Sequence, residues 1–221
     1  MSVITTPHIK NKRRAKLDPV LRQSVIDAAP DTGAAELWES SPFRLLDGGP
    51  GADAIIDALF PADSLLCVAK RNNQAATAPR EQWRGKLSAM QFIVPSPMSA
   101  MRGLTQRGTS SARCLGNTGP RRFLVVEQDI GTPDEQARIL LHLAQLAPLA
   151  LVLSSGGKSL HGWFYCEGAS FNQQDAFFDL ATKLGADRAT WSLCQLVRLP
   201  EGRRDNGNRQ SVLFFNPEVI R

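Results

Sequence analysis

Hydrophobic positions are scattered in the first half of this chain and regular in the second. From about residue 120 onward, unbroken apolar runs alternate with stretches of helical period. Phe123-Leu-Val-Val126 and Leu149-Ala-Leu-Val-Leu153 are short, β-branched or aliphatic and bounded by polar residues, which predicts buried strands over 122–129 and 149–154. Between them, Thr132-Pro133-Asp134-Glu135 is a helix start with proline at the first position and acids in the first turn, and the pattern predicts a helix over 133–146. A strand at 159–166, a helix at 171–185 stopped by Gly185, and strands near 194–198 and 209–215 complete this half. The front half supports a helix over Pro19–Ala29, another over Ala52–Phe60, and strands at Leu65–Ala69 and Met90–Val94. The order predicts an α+β fold, a largely antiparallel sheet backed by helices and preceded by an N-terminal α/β extension, with the acids of its best-defined strand on an open sheet face.

Strand period two decides which polar groups share a face. Phe123, Val125, Glu127 and Asp129 point one way, and the two carboxylates sit about 6.5 Å apart at Cα, a spacing suited to oxygen ligands around Mg²⁺ or Mn²⁺. An acidic strand end dissolving into solvent fits the same residues. The next strand breaks at Gly156-Gly157 and resumes as Lys158-Ser159-Leu-His161, a hairpin whose glycines permit a tight turn and whose next residues supply a fixed cation and two hydrogen-bonding groups. The string Gly-Gly-Lys-Ser is not a nucleoside-triphosphatase loop, because Val152 stands where the first glycine is needed and a strand, not a helix, follows.

Glu127-Gln-Asp129, Ser159-Leu-His161 and Asp187 resemble the three signature motifs of the archaeo-eukaryotic primase superfamily, including plasmid and phage primase-polymerases. The order matches, and 34 residues separate Glu127 from His161 and 26 separate His161 from Asp187, room for a helix in each crossover. The likeness covers about residues 90–215, and Gln195-Leu-Val-Arg198-Leu-Pro is similar to the family's closing arginine motif. This chain has glutamate at 127 where the family more often has aspartate. The resemblance implies a core of RNA-recognition-motif type, with Glu127, Asp129 and Asp187 on the catalytic metals. It also implies Ser159, His161 and Arg198 on the nucleotide's phosphates, and Lys158 adds a cation beside them. Asp187 also admits a reading as a cap or terminator of the preceding helix.

The remaining composition narrows the class. A net charge of +5 and pI near 9.3 over 221 residues suit a polyanionic partner, with basic residues gathered at Lys10–Lys16 and at Arg198, Arg203, Arg204 and Arg209. The first run also reads as a solvated tail, so residues 1–32 are taken as a basic N-terminal segment and 33–221 as one catalytic domain. Cys67, Cys114, Cys166 and Cys194 stand singly, without the paired spacing of a zinc ribbon. No apolar leader and no run of about 18 apolar residues occurs, so a cytoplasmic protein without membrane spans is expected. A rolling-circle nickase built on Tyr165 lacks the His-x-His metal pair, and a metal-dependent nuclease would have lysine where Gly131 stands.

These readings converge on a template-directed nucleotidyltransferase, a DNA primase or primase-polymerase using Mg²⁺ or Mn²⁺, nucleoside triphosphates and a single-stranded DNA template. A replicative helicase encoded elsewhere is the partner the resemblance implies. The alternative from another class is a primase-fold module that binds single-stranded DNA or an origin with weak or no catalysis. Trp163, in phase with Ser159 and His161, is the expected nucleobase contact among the tryptophans.

Overall fold

The computed structural model describes residues 15–43 and 51–220; Lys10–Arg14 of the basic run lie outside them. The chain forms helices α1 (Pro19–Asp27), α2 (Ala34–Glu39) and α3 (Ala52–Leu59), strands β1 (Leu65–Ala69) and β2 (Ala75–Pro79), and a short helix α4 (Arg80–Trp83). Next come β3 (Phe92–Ile93), a small hairpin of β4 (Gly103–Leu104) and β5 (Ser110–Ser111), then β6 (Phe123–Gln128), α5 (Pro133–Ala144), β7 (Leu149–Ser154), β8 (Leu160–Tyr165) and α6 (Phe171–Lys183). Strands β9 (Val197–Arg198) and β10 (Val212–Phe215) close the chain. Among the described residues every strand pairing is antiparallel, so the α+β class with antiparallel sheets backed by helices holds.

Two four-stranded sheets carry the architecture, one ordered β2-β1-β3-β9 and the other β10-β7-β8-β6. In the second sheet β8 lies between β6 and β7, so the unit β6-α5-β7 is a split strand-helix-strand crossover. Past the outer edge of β6, Ala186 bridges Gln128 in antiparallel sense and adds a rudimentary strand where the chain leaves α6.

One face of the second sheet, with Leu124, Val126, Val152 and Phe164, packs under α1, α2, α5 and α6. The helices hold there because their apolar stripes match that face and their starts are capped. Thr132 and Glu135 form a reciprocal capping box on α5, and Ser170 and Gln173 do the same on α6, each worth about 1 kcal/mol. Close approach requires Gly162 on β8, since a Cβ there would lie 2.7 Å from Leu140 of α5. Helix α1 belongs to this core through Val25 and Ile26, and buried Arg22 donates to the carbonyls of Leu184 and Ile130. Packed structure therefore begins within the segment that the sequence assigned to a basic N-terminal stretch.

The other face, with Phe123, Val125, Leu151, Leu153 and Trp163, meets α3 and the first sheet through Ile55, Leu66, Val68 and Ile93. The expectation of an open acidic sheet face is thus corrected. That face is the second core, and it emerges in part only at its ends, at Glu127 and at Tyr165. Trp163 is fully buried and packs 5.5 Å from the Phe123 ring, so it is a core residue and not a nucleobase contact.

Candidate active site at the end of strand β6

Register places the charged residues before any side-chain geometry is considered. Glu127 on β6 is the direct partner of His161 on β8, and His161 is the partner of Leu153 on β7. On the other side, the bridge between Gln128 and Ala186 puts Asp187 opposite Glu127, and the Asp187 amide donates to the Glu127 carbonyl at 3.0 Å. Asp187, Glu127 and His161 therefore form one row across the segment bridged to β6 at Ala186, β6 itself and β8. Directly opposed residues in such a ladder lie about 5 Å apart at Cα.

His161 is 1% exposed, with Nε2 3.3 Å from Oε1 of Glu127, whose side chain is 24% exposed. By hydrogen-bond geometry neither of the His161 ring nitrogens is satisfied, so the approach to Glu127 is a close contact and not a well-formed bond. Burial disfavours the Glu127 carboxylate, but the contact with His161 and the charge of Arg198 outweigh it and hold the carboxyl below its ordinary value. Arg198 comes from the first sheet, where it stacks 4.6 Å over the Phe92 ring and donates to Gln91 Oε1 at 3.3 Å. Burial and then the nearby charge of Arg204 lower its pKa, with Glu127 pulling the other way.

The hairpin between β7 and β8 forms the floor beside this row. Gly156 takes φ +71°, and a Cβ there would meet the Arg209 carbonyl at 2.8 Å, so the turn is pressed against the loop that carries Arg204. Arg204 reaches across the glycines to the Ser155 carbonyl at 3.4 Å and has no acidic partner among the described residues. Ser159 is buried and shares a 2.9 Å hydroxyl contact with Ser155, while Lys158 is exposed.

Not all the predicted residues converge. Asp129 follows β6, half-buried, and Asp187 is exposed, with Oδ1 accepting from the Ala189 amide at 2.9 Å as the cap of a 3₁₀ turn. The capping reading of Asp187 is therefore the one its present hydrogen bond fits. Among the described residues no three His, Cys, Asp or Glu side chains form a group that could hold a metal ion. The donor chemistry nonetheless suits a hard cation, since Glu127 and Asp187 share a face and Asp129 follows two residues on. Freeing Asp187 would cost one capping hydrogen bond, about 1 kcal/mol.

Sequence reasoning missed Gln136. It is fully buried in the first turn of α5, donates to the carbonyls of Gly131 (3.2 Å) and Lys158 (3.0 Å), and accepts from the Leu160 amide (2.8 Å). It clamps the loop after Asp129 to the turn before His161. Its signal was a polar residue on the stripe 136, 139, 140, 143 that otherwise reads apolar. Arg204 was legible as one of the clustered basic residues, but its place was not, because only folding brings its loop onto the glycine turn.

No protein-family model matches the chain, and no curated protein or solved structure similar to it was found.

Proposed function

We propose that the chain is a template-directed nucleotidyltransferase of the primase or primase-polymerase type. The observation that carries this reading is the row Asp187, Glu127, His161 across the segment bridged at Ala186, β6 and β8, with Arg198 near it from the other sheet. Strand order supports it as well. Counting the Ala186 bridge as a strand, the order Ala186-β6-β8-β7 is that of an RNA-recognition-motif core, with β10 added at the far edge. Glu127, Asp129 and Asp187 are the residues that would hold Mg²⁺ or Mn²⁺. A bound ion there would supply charge stabilisation at the phosphoryl group and activate the attacking hydroxyl.

The chain's own side chains divide the remaining work. His161 lies against Glu127 and keeps its buried ring nitrogens without a hydrogen-bond partner. The charge of Arg204 presses on Arg198, which an anionic triphosphate would relieve, and Lys158 and Ser159 line the adjoining turn. A replicative helicase as partner belongs to the same proposal.

A strand-binding module without catalysis is the second reading. It is favoured by the capping bond of Asp187 and by the lack of a three-donor cluster among the described residues. Incorporation of labelled nucleotides on an unprimed single-stranded template with Mg²⁺ or Mn²⁺ separates the two. Product made by the native chain and lost in Asp129→Ala supports synthesis. Template binding without product from either protein, with a helicase present or absent, supports the module.

A further inference from the structure

From residue 82 to residue 126 the chain contains no Asp or Glu and seven Lys or Arg, against a net charge of +5 for the whole. The hairpin β4–β5 stands out of this stretch. Its base is fixed by Asn117, fully buried, whose amide donates to the carbonyls of Ala100 (3.1 Å) and Ala112 (2.9 Å). Gly103 lies so near this anchor that a Cβ would meet Asn117 at 2.8 Å. Arg113 ties the base to the carbonyl of Cys194 at 3.1 Å, four residues before Arg198 of the candidate site.

The outer part of the hairpin is not used by the fold. Arg102 and Arg107 are exposed and have no acidic partner among the described residues, Arg102 bonding only to Ser110. Beside them Met101 is 47% exposed, Leu104 67% and Leu115 55%, all large apolar side chains left in water on a rigid support. Alternating guanidinium groups and apolar side chains match one ligand chemistry well. A single strand offers phosphates to the first and unstacked base faces to the second, whereas a duplex hides its bases.

We infer that the β4–β5 hairpin is a docking surface for single-stranded nucleic acid. Its identification as the template surface rests on the function proposed above; the binding itself does not.

The test is fluorescence anisotropy of labelled oligothymidylate, oligouridylate and a duplex of equal length with the full chain, in metal-free buffer over a range of salt. The native chain is expected to prefer the single strands, the two oligonucleotides separating DNA from RNA. Arg102→Glu with Arg107→Glu should weaken that binding on the order of tenfold or more and flatten the log–log salt slope by about 1.4. Leu104→Ser with Leu115→Ser should weaken it with the salt slope unchanged. Equal binding by native and variant chains, or equal affinity for the duplex, overturns the inference. Nucleotide incorporation by the same proteins distinguishes the two ideas. Binding through the hairpin without synthesis removes the catalytic reading alone, and synthesis with hairpin-independent binding removes this one alone.

Discussion

Strands β6 and β8 carry a side-chain contact to a carboxylate at each end, and the two are built differently. At the Phe123–Tyr165 end, Arg122 is saturated: it donates to the Leu59 carbonyl at 2.7 Å, pairs with Glu167, and lies over the rings of Phe123 and Tyr165 at 5.7 and 5.3 Å. At the Glu127–His161 end, the contact is 3.3 Å, His161 Nδ1 has no partner, and the carboxylate is reached by the charge of an arginine from another sheet. A buried polar group left partly unsatisfied costs about 1–3 kcal/mol. The first contact is explained by stability alone, whereas the second carries that cost without a compensating partner among the described residues, and the proposed function assigns it to ligand binding.

Replacing Glu127 by Gln breaks this asymmetry most sharply. The amide keeps the shape and loses the charge, so on the proposed reading incorporation should fall on the order of a thousandfold, several kcal/mol of transition-state stabilisation, with the urea midpoint changed little. Steady-state incorporation together with urea unfolding checks this. Full activity in the Gln variant would reduce the Glu127–His161 pair to the same structural status as the Arg122–Glu167 pair.

Asp187→Asn sharpens the comparison from the side of the third strand. Asparagine caps a turn about as well as aspartate, so stability should change by less than about 0.5 kcal/mol. Incorporation should nonetheless fall on the order of a hundredfold if the charge is used, since removing one charged group from a phosphoryl-transfer site typically costs that much. Unchanged incorporation would leave Asp187 with only its cap.

How far these residues could be read from the sequence follows from the range of the interactions that place them. Strands β1 and β7 were legible to the residue, because an uninterrupted apolar run depends only on its neighbours. Helix α5 was predicted from its start signals and ends two residues earlier than the pattern suggested. Glu127 and His161 were legible as being in phase on their own strands, but not as partners, because register is set by pairing. The burial of Trp163 was illegible for another reason. Period two gives a face and does not say that a second sheet covers it. The first sheet itself, closed by the two-residue strand β9 between Leu196 and Leu199, depends on contacts across more than a hundred residues, Phe92 with Arg198 among them.

At the saturated end, Arg122→Met should act on stability. It removes the donor to the Leu59 carbonyl and the ion pair with Glu167, while keeping most of the apolar cover over Phe123. The expected loss is about 2–3 kcal/mol by urea unfolding, dominated by the buried carbonyl left without a donor. Activity per folded molecule should be unchanged. Selective loss of activity at full stability would move the functional site to the wrong end of the strands.

The smallest effect lies in the acid limb of stability. Glu127 is held below its ordinary value near 4.5 by His161 and Arg198 despite burial, so its carboxylate contributes stability that is fully present above the unfolded pKa. That contribution disappears as pH falls through the depressed folded value, and not between pH 7 and 5. Thermal midpoints of the native chain and Glu127→Gln should therefore run parallel from pH 7 to about 5 and converge below about 4.5, where protonation makes the native side chain as neutral as the amide. The Arg122→Met curve should show no such convergence through this residue, because its Glu127 still titrates. If the native and Gln curves stay parallel throughout, the contact with His161 does not favour the ionised carboxylate, and the two ends of the strand pair differ in geometry but not in charge.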